Sequence, residues 1–165
     1  MREYRANLER LNGIYKDLLA LAKRKEEILL NHDWKGLEAL VCVEEKLVYQ
    51  AGIAERARLE SHSRLCGAMG LSEQELTADR LKKEFPDDAH LIALIDDLAG
   101  TVDLLLRQND LNRELISSSL SYVDFMLKVI ADAKGGAKDP APTYGSDGRT
   151  RAADKAVAHL LDTKR

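Results

Sequence analysis

Histidine is the residue type best suited to metal binding or acid–base chemistry at neutral pH, and the histidines of this chain are far apart in sequence. They lie in four different segments, at His32, His62, His90 and His159. None has a glutamate three residues before it, so the Glu-x-x-His signature of di-iron helical bundles is absent. The sequence also lacks a His-Glu-x-x-His zinc motif, a Walker loop and a Gly-x-Ser-x-Gly elbow. We therefore expect no metal site, no cofactor and no enzymatic activity.

Carboxylate pairs and thiols are the other groups that carry chemistry. Glu44-Glu45 and Asp96-Asp97 have the composition of a general acid–base pair, but neighbouring charges are more typical of a solvated helix face. Cys42 and Cys66 fall in one predicted helix, and about 36 Å of helix between them excludes a disulfide bond within the chain. We expect both to be free thiols in a reducing compartment.

One segment leaves an enzymatic alternative open. His62-Ser63-Arg64-Leu65-Cys66-Gly67 resembles the phosphorylated histidine of phosphotransfer bundles, where a basic residue and a glycine follow the histidine. Here Arg64 lies one position too early and Gly67 one position too late, and His62 is near a predicted helix end. The competing interpretation is a partly exposed histidine with no special role.

Composition excludes several classes of protein. The 165 residues carry a net charge of −3, which argues against nucleic-acid binding driven by phosphate contacts. No apolar run approaches the roughly 20 residues that span a bilayer, and Met1-Arg2-Glu3-Tyr4 is unlike a secretory signal, so we expect a cytoplasmic location without membrane insertion. Aromatic residues make up 5% of the chain and there are 3 prolines, which favours long helices.

Apolar residues at alternating three- and four-residue steps predict an all-α fold, an antiparallel bundle of three long helices over residues 1–134. The first helix is expected from Arg2 to about Asn31, and the second from Trp34 to Leu65 or Cys66, with Asp33 as its N-cap. Ser72 and Glu75 match a capping box and predict a short connecting helix that follows them.

The third long helix is predicted to start at Asp87 or Asp88 and to run for roughly 45 residues, or about 70 Å. Its apolar seam continues through Ile116, Ser119, Val123, Met126 and Ile130. Asn109 and Asn112 interrupt the seam, and buried asparagines of this kind fix helix register at a cost in stability. Contact of Asn109 and Asn112 with a partner protein is the alternative interpretation.

Residues 135–165 are predicted to be a flexible tail, because Gly135, Gly136, Pro140 and Pro142 end the helical pattern. Within it, residues 151–162 form an amphipathic pattern whose apolar face consists of Ala153, Ala156, Val157, Leu160 and Leu161. Burial of three aliphatic side chains stabilises by about 6 kcal/mol, whereas ordering about 12 residues costs roughly 18 kcal/mol. We therefore expect this segment to order only against an apolar surface.

Three stretches carry motifs beyond helical periodicity. They are Asn109-Asp110-Leu111-Asn112-Arg113-Glu114-Leu115-Ile116, Thr143-Tyr144-Gly145 followed by Gly148, and the start of the second predicted helix at Asp33-Trp34. The first is similar to the Asn-x-x-Asn-x-x-Leu-Leu/Ile core of the FlgN-type flagellar export chaperones. The second resembles the tail motif of that family, and the third is also similar to it.

The resemblance implies a cytoplasmic chaperone of type III flagellar export, whose partners are the two hook-associated proteins of the hook–filament junction and the export gate. Such a chaperone masks the C-terminal amphipathic helix of its client. We expect Ala153, Val157, Leu160 and Leu161 to contact the client, and Tyr144 to dock on the export gate. A generic helical adaptor, or a chaperone for another export substrate such as the filament cap, remains an alternative. The apolar tail also predicts a monomer or a weak homodimer.

Overall fold

The computed structural model describes residues 1–133, and all the regular structure in that range is helical. Four helices follow one another along the chain: α1 (Arg2–Leu30), α2 (Trp34–Met69), α3 (Ala78–Glu84) and α4 (Ala89–Ala133). The predicted all-α class is confirmed, as are the number and order of the elements before the tail.

Local sequence accounts for both ends of α2. The Asp33 side chain accepts a hydrogen bond from the Gly36 backbone N–H at 2.9 Å, which caps the helix as predicted. Gly70, with φ of 68°, ends α2 in the left-handed region, and the Leu71 N–H donates to the Cys66 carbonyl at 3.0 Å. This motif places the end of α2 at Met69, beyond the predicted end at Leu65 or Cys66.

The start of the short helix was predicted wrongly. The helix begins at Ala78 rather than directly after Ser72, and Thr77 caps it by accepting from the Arg80 N–H at 3.2 Å. Ser72 and Glu75 do pair, but the Ser72 hydroxyl donates to the Glu75 carboxylate at 2.7 Å. The Ser72 N–H also donates to that carboxylate at 2.8 Å, and the Glu75 N–H donates to the Ser72 carbonyl at 3.1 Å, so the pair closes a turn instead of opening a helix.

The chain divides into two compact units, the first ending at Leu115 and the second beginning at Ile116. The first unit buries two apolar clusters. One joins α1, α2, α3 and the start of α4, and consists of Tyr4, Leu8, Leu65, Cys66, Leu76, Leu81, Leu91, Leu94 and Ile95. The other lies between α1 and α2, with half-buried leucines of α4 against it, and consists of Leu11, Ile14, Leu18, Ala51 and Ala54.

Polar contacts show how α1 runs against its neighbours. Against α2, Glu3 at the start of α1 binds Arg64 near the end of α2. Lys25, near the end of α1, binds Glu44 in the first part of α2 at 2.5 Å. Lys25 lies between the buried Ala22 and Leu29 of α1, and Glu44 supplies a partner for its charge. Against α4, the pairs ascend together, from Asn12 with Asp97 to Ala22 with Asn112. Helix α1 is therefore antiparallel to α2 and parallel to α4 within the first unit.

The two asparagines of α4 have different environments. Asn112 is 3% exposed, and its amide donates to the Ala22 carbonyl of α1 at 2.8 Å. Asn109 is exposed, so its predicted place in the buried seam was wrong. After Leu105 the side of α4 that faces α1 continues through the half-buried Gln108 and the buried Asn112. A straight helix rotates by about 20° per heptad relative to a strict seven-residue repeat, which moves Asn109 off this side.

Replacing Asn112 with alanine is expected to lower the free energy of unfolding by about 1–2 kcal/mol, because a buried hydrogen bond and packed volume are lost. Asn109→Ala is the matched control. An exposed asparagine is expected to change stability by less than about 0.5 kcal/mol. Urea unfolding followed by circular dichroism measures both, and equal effects at the two positions would contradict the assignment.

Asp97 links α4 to α1 and is expected to make stability depend on pH. The Lys16 ammonium at 2.5 Å, followed by the Asn12 amide at 2.6 Å, lowers the pKa of the Asp97 carboxyl. Because the folded-state pKa lies below the unfolded one, the stabilisation is present above the unfolded pKa and is lost as pH falls through the folded pKa.

Asp97→Asn is therefore expected to destabilise the chain at pH 7, and the difference from wild type should shrink as pH falls below about 4. Urea midpoints over a pH series measure this. In a Lys16→Met background the same substitution should have a smaller effect, because its main partner is gone. A difference that is constant across the pH series would refute the assignment.

Candidate protein-docking surface

The second unit presents apolar side chains to solvent along α4. Between Ile116 and Ile130 the only charged residues are Asp124 and Lys128. The large apolar side chains that this segment exposes are Ile116, Leu120, Tyr122, Val123, Phe125, Met126, Leu127, Val129 and Ile130. Contiguous exposed apolar surface of this kind marks an interaction site in a water-soluble protein.

These side chains form two faces of the helix. One, here called the aliphatic face, consists of Ile116, Leu120, Val123, Leu127 and Ile130, which recur at three- and four-residue steps. The other, called the aromatic face, consists of Tyr122, Phe125 and Val129, and its rings are 64% and 59% exposed. Successive residues of an α-helix are about 100° apart, so the two faces lie on opposite sides of α4. A helix that is apolar on both sides has room for two packing partners.

Sequence reasoning found one of these faces and missed the other. The predicted seam through Ile116, Val123 and Ile130 was expected to be a buried helix contact, but all three residues are exposed in the second unit. Tyr122 and Phe125 were not singled out. The signal was available, because Tyr122, Phe125 and Val129 keep their own three- and four-residue spacing. Assigning only one apolar face to a helix overlooks a second set of residues with the same spacing.

The predicted tail residues lie outside the described part of the chain. These are Tyr144, the proposed export-gate residue, and the proposed client contacts Ala153, Val157, Leu160 and Leu161. Their roles, and the boundary of the tail at residue 135, stay predictions.

His62 is part of the packed interior rather than a reactive site. It lies inside α2, is 9% exposed, and its Nε2–H donates to the Leu76 carbonyl at 2.9 Å. The Cys66 Sγ lies 3.8 Å from Nδ1, and burial raises the pKa of that thiol. Neither the helix-end position nor the partial exposure expected for His62 was correct. A histidine buried in this way offers no open nitrogen to a phosphodonor, so no observation favours phosphotransfer.

Three of the four candidate carboxylates are engaged in contacts between helices, and the fourth, Glu45, is exposed. Glu44 binds Lys25 of α1, Asp96 binds Lys82 of α3, and Asp97 binds Asn12 and Lys16 of α1. Cys42 is exposed and Cys66 is buried, and both are free thiols as predicted. Among residues 1–133, no group of three or more potential ligands is arranged to hold a metal ion. No helix in that same range is long and apolar enough to cross a membrane.

Comparison with known proteins assigns the family. The family model described as FlgN protein matches residues 1–152, which takes in all four helices and Tyr144 and ends one residue before Ala153. Searches of curated proteins and of solved structures gave no match. The family match covers most of the chain, and it agrees with the motifs around Asn109, Asn112 and Tyr144. The chain belongs to the FlgN protein family of flagellar export chaperones.

Proposed function

We propose that this FlgN-family chain is a cytoplasmic chaperone for the hook-associated proteins of the hook–filament junction. It binds their C-terminal amphipathic helices, keeps them unassembled and delivers them to the flagellar export gate. Family membership supports a role in flagellar export. The observation that carries the binding part of the proposal is the exposed aliphatic face of α4.

The aliphatic face is an apolar surface against which an amphipathic helix can pack. Its five side chains supply apolar area along about four turns of α4, between Ile116 and Ile130, with little charge to desolvate. A client helix laid along this face buries its own apolar stripe at i, i+3, i+4 and i+7 positions. The same burial removes the stripe that would otherwise promote self-assembly of the client.

The tail supplies the second part of the proposed client site. Ala153, Val157, Leu160 and Leu161 share one face if residues 151–162 become helical, and that helix packs against the client. Because the family match ends at residue 152, this assignment rests on the apolar pattern of the tail alone. Tyr144 lies within the matched range, which supports its separate proposed role at the export gate.

Calorimetric titration with the C-terminal segments of the junction proteins tests the proposal. The full chain is expected to bind tightly, and a chain that ends at Lys134 to bind much more weakly, because the tail contacts are missing. Leu161→Asp should weaken binding by about tenfold or more, since a charge enters an apolar contact. The thermal unfolding of the helical part should be almost unchanged.

Leu30→Asp is the matched control, because it places the same charge at an exposed leucine near the α1–α2 turn. It should leave affinity unchanged. Val123→Ser, on the aliphatic face, should weaken binding by removing an α4 contact. Equal binding by the full and shortened chains would move the client site onto α4 alone. Tight binding to the filament-cap segment, with none to the junction segments, would replace the client.

A further inference from the structure

The aromatic face of α4 is not used by the proposed client contact. Tyr122, Phe125 and Val129 lie on the side of α4 opposite the aliphatic face, and all three are exposed. Two aromatic rings and a valine on one short stretch of helix form an apolar surface, and its removal from water is energetically favourable.

We propose that residues 151–162 of the same chain dock on the aromatic face when no client is bound. The docked segment is an amphipathic helix that runs antiparallel to α4 and places Ala153, Val157, Leu160 and Leu161 against Tyr122, Phe125 and Val129. The chain thereby covers its own apolar tail and its own apolar helix in one contact.

Chain length permits this arrangement. The 17 residues 134–150 reach roughly 55 Å when extended, whereas α4 rises only about 17 Å from Tyr122 to its end at Ala133. The connection is therefore long enough to reverse direction without strain. A 12-residue helix is about 18 Å long, which is enough to cover the span of about 10 Å from Tyr122 to Val129.

The side-chain volumes are complementary. The aromatic face carries large side chains, and the apolar face of residues 151–162 includes two alanines, Ala153 and Ala156. Small residues opposite large ones let two helices approach closely and interdigitate. The aromatic face also provides the apolar surface that this segment requires in order to become ordered, as the entropy comparison above predicts.

Mass action favours the tail over a second copy of the chain. A segment joined to its docking site through only 17 residues of the same chain has an effective concentration in the millimolar range there. A second copy in dilute solution is present at micromolar concentration, about a thousandfold lower. The covalently linked segment is therefore the occupant to which the geometry points.

Docking of the tail on α4 makes the client compete for Val157, Leu160 and Leu161. This consequence rests on the proposed function, because it assigns the same tail residues to the client. The intrachain contact itself does not depend on any client and is tested without one. Its failure would leave the client titration above unaffected.

Hydrogen exchange followed by mass spectrometry on the full chain tests the contact. The backbone amides of residues 151–162 are expected to exchange about tenfold or more slowly than those of the same segment as a free peptide. The slowing should be the same at chain concentrations of roughly 1 and 20 µM. Phe125→Ser and Tyr122→Ser should each abolish most of the slowing. Leu127→Ser is the matched control on the aliphatic face and should keep it. Circular dichroism checks that helix content is retained in all three variants.

Three results would overturn the proposal. Exchange in the wild-type chain as fast as in the peptide would mean that the tail does not dock. Slowing that grows with chain concentration would assign the aromatic face to a second copy. Slowing that survives both Phe125→Ser and Tyr122→Ser would place the tail on another surface.

Discussion

The packing of α1 against two helices at once is the constraint on which the first unit depends. Both buried clusters contain residues of α1, and its seam from Tyr4 to Ala22 is almost fully removed from solvent. Burial of this seam supplies the main favourable free energy of the unit, because apolar burial scales with the area removed from water. Without α1, the facing sides of α2 and α4 would be exposed.

Polar contacts decide how the helices are aligned. Apolar seams that repeat every three or four residues can slide by one heptad with little loss of contact. The Lys25–Glu44 pair fixes α1 against α2, and the Asn112 amide on the Ala22 carbonyl fixes α1 against α4. Removal of one partner leaves a polar group unpaired, half-buried in the first contact and buried in the second, which makes a shifted register costly. The polar side chains that suggested chemistry in the sequence thus serve alignment instead.

Helix length separates the packed part of α4 from its exposed part. Helix α1 has 29 residues and α4 has 45, so α1 cannot accompany α4 along its whole length. Apolar residues continue along α4 after residue 115 as though a partner were present. Exposed apolar surface of this kind is where a water-soluble protein contacts a partner.

The sequence by itself determined the all-α class, the three long helices, the cap at Asp33 and the family, because these depend on local periodicity, capping chemistry and motifs. Only the tertiary structure separated the buried Asn112 from the exposed Asn109, since the drift of a straight helix relative to a heptad repeat is decided by its packing. The tertiary contacts also buried His62 against the Leu76 carbonyl, whereas the start of α3 at Ala78 rather than after Ser72 follows from the local cap at Thr77. A three-residue spacing specifies which side chains are neighbours, but it does not specify which of them donates a hydrogen bond and which accepts it. Nor does it specify which side of a helix is covered by another helix. For that reason the aliphatic and aromatic faces of α4 became recognisable as candidate docking surfaces only from the exposure of their side chains.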